Sequence, residues 1–338
     1  MARLVFAYFR WRGFVARGLA LSRQVAATAD LARRYDADPS SFSDADLARA
    51  VPGWVGEHLT IDGAWLRALQ QEPRLWLRAR PDTAAVLAAE LGDCSAPLPR
   101  LLPDALVYTG EADLFRHATF QAGRFELQDV TSQAVGALCA PRPGESWWDA
   151  CAGEGGKALD LADRMQNRGV IWATDRADWR LQRLRLRAAR AERFNLRWAL
   201  WDGGGKPPTT LKFDGVLVDA PCSGLGTWQR NPHARWTTTP DDVAELAVLQ
   251  TQLLHHAAAA VKPGGRLFYA VCTLTREETT EVAARFAAER PDFEPFPLPG
   301  EWQAGSPGAS AETAPHLLWL RPQDWQGNGM FVAAWRRR

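Results

Sequence analysis

Two cysteines stand at positions where chemistry is easily arranged. The stretch 213–226, FDGVLVDAPCSGLG, carries an aliphatic run at Val216, Leu217 and Val218, the composition of a strand buried on both faces. The run ends in Asp219, Ala220, Pro221, Cys222, Ser223 and Gly224, an acid and a thiol followed by small, turn-prone residues. Ligands of open α/β sheets bind outside the carboxyl ends of the strands, so an acid and a thiol at that edge are placed for chemistry. Read alone, D-A-P-C is more often an N-cap acid beside a small apolar cysteine. A second stretch changes the balance. Residues 264–274, GGRLFYAVCTL, repeat the plan of a Gly-Gly turn, an apolar strand and Cys272 at the strand's end.

The first strand of the same half of the chain runs into Asp149, Ala150, Cys151, Ala152, Gly153, Glu154, Gly155, Gly156 and Lys157. Glycines let the backbone turn sharply and approach a ligand, and the helix that follows offers its N-terminal N–H groups. The turn is not G-x-x-x-x-G-K-[ST], because Ala158 follows Lys157, and it lacks the G-x-G-x-x-G spacing. The next strand ends at Asp175, where a carboxylate can take both hydroxyls of a ribose. The one after ends at Trp201 and Asp202, where a carboxylate could accept from an exocyclic amine beside an aromatic face. Each acid alone is more often a cap or a solvated turn residue. Consecutive strand ends carrying the glycine turn, Asp175, Asp202 and Asp219 fit a nucleoside-bearing cofactor with a cationic group. S-adenosylmethionine is the obvious candidate.

Such residues need a scaffold that brings successive strand ends to one edge. From Ser146 the rhythm is strand–helix–strand, the pattern of an α/β fold with a doubly wound, mostly parallel sheet. Strands are expected over 147–151, 170–174, 196–200, 216–218 and 267–271, with helices over 157–165, 179–194, 241–261 and 277–289. Weaker strand signals lie at 293–298, 317–320 and 331–335. Pro240 opens the 241–261 helix, and Pro263, Gly264 and Gly265 stop it. Ahead of this catalytic domain, residues 141–338, we expect a helical N-terminal domain over 1–70 and a small α+β RNA-binding module over 71–140. The first holds a helical pattern over 4–35, a helix over 47–50 capped from Ser43, and a short helix over 54–59. In the module 74–80 alternates as a strand, 83–91 is a helix and 106–108 a strand. A loop over 120–128 leads to a helix over 132–138.

Composition excludes more than it selects. At 338 residues, Lys+Arg 40 against Asp+Glu 39 leaves no global field that advertises nucleic acid. The lysines are Lys157, Lys206, Lys212 and Lys262 alone; Arg suits bidentate phosphate contacts, although a GC-rich genome would enrich it equally. Five cysteines at irregular spacing, with no C-x-x-C, support neither a disulfide framework nor a zinc site. Reduced thiols, a cytoplasmic location and no metal are the expectation. Arg3, Arg10, Arg12 and Arg17 interrupt the first apolar runs, so an amphipathic basic helix is expected there rather than a signal peptide or membrane span. Its arginines read equally as a solvated face and as an RNA-contacting one. Monomer is the default.

The motifs DACAGEGGK (149–157), ATD (173–175), DAPCSGLG (219–226), WQRNPHARW (228–236) and KPGGRLFYAVCT (262–273) follow in order along the chain. Fainter echoes are RLWLRAR (74–80), FQAGRFELQDVTSQ (120–133) and NGMFVAAW (328–335). In these the chain resembles the Nop/Sun family of S-adenosylmethionine-dependent RNA cytosine-5 methyltransferases, over roughly residues 70–337. The paired PCSG and VCT cysteines are the most specific part of the likeness. It implies a Rossmann-like class I methyltransferase core, with Cys272 as nucleophile and Cys222 assisting product release. It further implies that Cys151, Ala152, Gly153, Glu154, Gly155, Gly156, Lys157, Asp175, Asp202 and Asp219 hold the cofactor. Lys157 and Asp219 would also face the target base; Arg180, from its place one turn into the next helix and not from the likeness, is a further candidate for cofactor contact. Gly153 and Glu154 stand where the family usually has Ala-Pro, and Val271 and Thr273 flank Cys272 where Thr and Ser are usual. Neither departure removes a reactive group.

The implied reaction explains why two thiols are present. Carbon 5 of cytosine is too weak a nucleophile to take a methyl group directly, and a thiolate added at carbon 6 activates it. The base must be exposed, in a loop or flipped out. Arg230, His233 and Arg235, interleaved with Trp228 and Trp236, suit phosphate contact and stacking, and equally a surface loop packed by two tryptophans. Arg180, Arg183, Arg187 and Arg190 read as the solvated face of one helix. Ribosomal RNA is the expected substrate, with transfer RNA the alternative. The rivals are a non-catalytic RNA-binding assembly factor and a DNA cytosine-5 methyltransferase, which would place its nucleophile on the earlier Pro-Cys.

Overall fold

The alternation of apolar side chains along the strands becomes, in the computed structural model, a large sheet with a core on each face. The structure describes residues 2–16, 18–304 and 314–338. A small antiparallel sheet comes first, formed by β1 (Leu75–Ala79), β2 (Cys94–Ser95), β3 (Ala105–Tyr108) and β4 (Phe125–Leu127) in the order β2-β3-β1-β4. The large sheet holds β5 (Ser146–Asp149), β6 (Val170–Asp175), β7 (Leu196–Leu200), β8 (Phe213–Asp219) and β9 (Val261–Val271). It also holds β10 (Phe293–Pro295), β11 (Leu317–Leu320) and β12 (Met330–Arg337). Its order is β10-β12-β9-β8-β5-β6-β7, with β11 on β12. The neighbours from β7 to β9 are parallel, whereas β12 is antiparallel to β9 and β10 to β12.

Adjacent residues of one strand point to opposite faces, and the sequence supplies apolar groups for both. Trp147, Leu217 and Phe268 pack on one side with Leu159, Leu161 and Leu184; Trp148, Val216, Val218 and Tyr269 pack on the other with Leu254 and Phe286. This is the expected α/β class with a doubly wound, mostly parallel sheet. Strand order reverses between β5 and β8, and the crevice above that switch point is where such sheets bind ligands.

Several local expectations are corrected. The helical pattern over 4–35 is two helices, Ala2–Trp11 and Leu21–Ala37, with a short 3-10 turn Arg12–Phe14 after the first. Within that turn only a glycine fits at 13, because a Cβ there would stand 1.7 Å from the carbonyl oxygen of Arg49. Arg17 lies outside the described residues. The segment 120–128 is no loop: it carries the end of the helix Ala118–Gln121 and then β4, whose ladder to β1 is too short to show a period in sequence. The helix foreseen to Val261 ends at Ala258 (Pro240–Ala258), and Pro263, Gly264 and Gly265 lie inside β9, next to its register shift against β8. The helix Gly63–Ala68, capped by the Asp62 carboxylate, was not foreseen.

Two junctions matter for the site. The small sheet is fastened by ion pairs to two helices beside the large one: buried Arg78 of β1 pairs with Asp163 of the helix Gly156–Arg164, and Glu126 of β4 takes Arg187 and Arg190 of the helix Asp178–Arg190 at 2.9 and 2.5 Å. The N-terminal helices share one apolar cluster, including Trp11, Tyr35, Phe42 and Leu69, with Leu225 and Trp228 from the segment after β8. Among the described residues no helix is long and apolar enough to cross a membrane, and no group of three or more His, Cys, Asp and Glu could hold a metal ion.

Candidate active site

β8 and β9 are parallel neighbours with Asp219 opposite Ala270, so their carboxyl ends emerge side by side. The Ala220 N–H donates to Ala270 O at 3.0 Å, and the Gly226 N–H donates to Cys272 O at 3.0 Å. Between these ties the Cys222 and Cys272 Sγ atoms lie 3.2 Å apart, both partly buried. Gly226 is a close-approach glycine: a Cβ there would stand 1.9 Å from Gly329 O, and the Gly329 N–H donates to Gly226 O at 2.7 Å. The hydrogen bond between the thiols separates their acidities. It holds Cys272 below the ordinary thiol range, where Lys157 and Arg230 also help against burial and Asp219. The same bond, with burial, pushes Cys222 well above that range.

The Lys157 ammonium sits 2.8 Å from Asp219 Oδ2. Burial pulls its pKa down, but Asp219 more than offsets this and leaves Lys157 above its ordinary value. Asp149, at the end of β5, is fully buried, and its oxygens find no well-formed hydrogen bond, the Cys151 N–H giving only a weak polar pull. Burial first and the Asp219 charge second push its carboxyl up to about 8.

Beside the thiols lies a cavity of about 510 Å³. Cys151, Ala152, Gly153 and Glu154 form one side, Asp175, Arg180, Trp201 and Asp202 another, and Asp219, Cys222 and Cys272 a third. Asp175 is fixed by the backbone: it accepts from the Gly153 N–H at 3.0 Å and the Ala177 N–H at 2.9 Å, with Arg180 at 3.7 Å. Asp202 is exposed and accepts from the Gly204 N–H at 2.9 Å. Gly155, Gly156 and Lys157 do not line the cavity. Gly155 has φ +88° and would carry a Cβ 2.6 Å from Leu184, so it lets the turn pass over the helix Asp178–Arg190. Sequence reasoning missed Pro221, Leu249 and Leu253, which also line the cavity. The leucines' only signal was an apolar stripe like that of any core helix.

The basic segment after Cys222 divides. Arg230 and His233 are exposed, His233 with its ring edge-on to Phe9 at 6.0 Å. Arg235 corrects the expectation of an RNA contact, since it has no solvent exposure. Its guanidinium donates to the backbone carbonyls of Leu69, Trp228, Ala50 and Arg10 at 2.6, 3.2, 3.3 and 3.5 Å. Trp228 is equally buried and offers no stacking face, while the Trp236 indole N–H is bonded to Phe9 O at 2.7 Å. The four-arginine helix face is only half solvated: Arg187 and Arg190 face Glu126 and are mostly buried, while Arg180 and Arg183 are exposed, 3.7 Å from Asp175 and 3.1 Å from Glu154.

Comparison with known proteins follows the same residues. The family model described as 16S rRNA methyltransferase RsmB/F matches residues 136–336. The chain is 35% identical to the probable ribosomal RNA small subunit methyltransferase B of Synechocystis sp., over 84% of this chain and 66% of that protein. The probable ribosomal RNA small subunit methyltransferase B of Bacillus subtilis is 39% identical, over 52% of this chain and 40% of its own length. The ribosomal RNA small subunit methyltransferase B of Sodalis glossinidius is 31% identical, over 87% of this chain and 68% of its own length. The chain thus spans about two thirds or less of the lengths of these relatives. A solved methyltransferase homolog protein from Pyrococcus horikoshii superposes with TM-score 0.69 at 26% identity, covering 82% of this chain and 90% of that one. NSun6 from Pyrococcus horikoshii, solved with SFG, shares the fold at TM-score 0.71 and 18% identity, covering 81% and 93%.

Proposed function

The chain belongs to the 16S rRNA methyltransferase RsmB/F family, and we propose that it transfers a methyl group from S-adenosylmethionine to carbon 5 of a cytosine in RNA, with ribosomal RNA the expected substrate. The observation that carries this reading is the meeting of two thiols at 3.2 Å on the rim of the strand-end cavity. The residues fit the cofactor. Asp175, Asp202 and Asp219 make the cavity acidic, as a cationic nucleoside requires, and behind them the buried Asp149 carboxyl has oxygens with no good partner. Asp175 would take the ribose, Asp202 an exocyclic amine, and the backbone at Cys151, Ala152, Gly153 and Glu154 the amino-acid tail, with Leu249 and Leu253 as apolar wall. The bound cofactor supplies a methyl group on a sulfonium.

The chain's own groups do the rest. Cys272, favoured as thiolate, adds to carbon 6 of an exposed cytosine and makes carbon 5 nucleophilic. Asp219, held by Lys157, accepts from the exocyclic amine and steers the base over the thiol. After methylation the proton on carbon 5 must leave before the bond to Cys272 can break. The hydrogen bond to Cys272 is the largest of the causes that hold the proton on Cys222, ahead of burial and the Glu278 charge, and it is lost once Cys272 is spent in the adduct. Cys222 can then ionise and assist proton removal, which frees the product. Arg230, whose charge is felt at Cys272, and His233, both exposed, would meet RNA phosphates.

Incubation with methyl-labelled cofactor and ribosomal RNA tests the reading. The label should appear as 5-methylcytidine, and Cys272→Ala should lower the rate by about 10³-fold or more. A methyl group on another atom, or an active Cys272→Ala protein, would overturn it.

A further inference from the structure

Directly after each thiol stands a hydroxyl residue, Ser223 or Thr273, and both hydroxyls converge on one carboxylate. Glu278 has no solvent exposure. Its Oε1 accepts from the Ser223 N–H at 2.8 Å and from Gln250 Nε2 at 2.9 Å. Its Oε2 accepts from the Ser223 hydroxyl and from the hydroxyls of Thr273 and Thr275 at 3.1 and 2.9 Å. Gln250 Nε2 also donates to Pro221 O at 2.9 Å, and the Tyr269 hydroxyl donates to Glu278 O at 2.6 Å. The residues on both sides of Cys222, and the one after Cys272, therefore hang from one knot.

Among the described residues no cation is salt-bridged to Glu278. Burying a carboxylate without a cation is costly, and here a ring of donors stands in for water. Capping the helix Thr280–Glu289 would not require that cost, since an exposed acid serves a helix N-terminus as well. The charge has a directed effect instead. It adds to the hold on the Cys222 proton, while Cys272 answers to Lys157, Arg230 and Asp219.

We propose that Glu278 is a positioning residue of the thiol pair: it locks the two strand ends so that the sulfur atoms meet, and its charge, set beside Cys222, keeps the roles of the two thiols unlike. The assignment of roles rests on the methyltransferase reading above, but the inequality of the thiols is measurable without RNA or cofactor. Pulsed alkylation of the whole chain with iodoacetamide across pH, with the two cysteine peptides quantified by mass spectrometry, reads it directly. Cys272 should label first in the unaltered chain. In Glu278→Gln the ratio of Cys272 to Cys222 labelling should fall by about 5-fold or more, with Glu278→Asp recovering part of it. The same variant should lose about 10-fold or more in kcat while KM for the cofactor stays within about 2-fold.

An unchanged labelling ratio in folded Glu278→Gln overturns the proposal, as does a loss confined to cofactor KM. If that variant does not fold, Ser223→Ala, which cuts only the hydroxyl contacts, must lower the ratio by about 2-fold, and no change overturns the proposal equally. Unequal labelling that collapses in Glu278→Gln, from a chain that methylates no RNA, would sustain the positioning role and count against the methyltransferase reading alone.

Discussion

Asp149 is the most poorly supported carboxyl near the site, and its burial makes stability depend on pH. An ordinary Asp ionises near 3.8, whereas the folded chain holds this proton up to about 8. Between those values the native state binds the extra proton, so the contribution is complete below the lower one and lost as pH rises to the upper. Asp149→Asn removes the ionisation. Its melting temperature relative to the parent should therefore be more favourable at about pH 8.5 than at about pH 5.5, by several degrees. Thermal melts at both pH values check this, and an equal difference at both would contradict it. The candidate site residues were the most legible part of the sequence. Cys222, Cys272, Asp175 and Asp219 sit at strand ends, and strand ends show in local pattern. Arg235 was not legible, because its burial is decided by carbonyls at positions 10, 50 and 69. Glu278 had no sequence signal, since only the fold brings Ser223 and Thr273 to it.

At the scale of elements, the site depends on the backbone crossing between β8 and the turn before β12. Gly226 packs against Gly329 there and its N–H donates to the carbonyl of Cys272, so the strand end that carries Cys272 is braced by a glycine pair. Gly226→Ala should cost about 1–3 kcal/mol by overpacking, read by chemical denaturation, and should depress methyl transfer at temperatures where the variant is fully folded. Full activity with unchanged stability would show that the contact does not position Cys272. The buried parallel strands β5, β6, β8 and β9 were readable as apolar runs. β4 was not, because three residues show no period and only the ladder to β1 defines it. The close approach at Gly13 was hidden too, since the carbonyl it meets belongs to Arg49, far along the sequence.

For the whole molecule, the decisive link is the buried Arg235, which ties the N-terminal helices to the segment that follows Cys222. Removing it leaves carbonyls from both regions unsatisfied. Arg235→Met should cost about 3 kcal/mol and expose the N-terminal helices to protease, whereas Arg230→Ala should leave stability within about 0.5 kcal/mol and weaken RNA binding. Equilibrium unfolding and filter binding separate the two. A stable Arg235→Met protein with weakened RNA binding would reverse the assignment.

The central claim is that the two sulfurs act in sequence on one base. Cys222→Ala should stall the reaction after methyl transfer, so incubation with RNA and S-adenosylmethionine should yield a denaturant-resistant protein–RNA adduct whose linked peptide contains Cys272. The account predicts that adduct in Cys222→Ala and none in Cys222→Ala/Cys272→Ala. An adduct that survives in the double variant, or one formed through Cys222 when Cys272 is replaced by Ala, would contradict it.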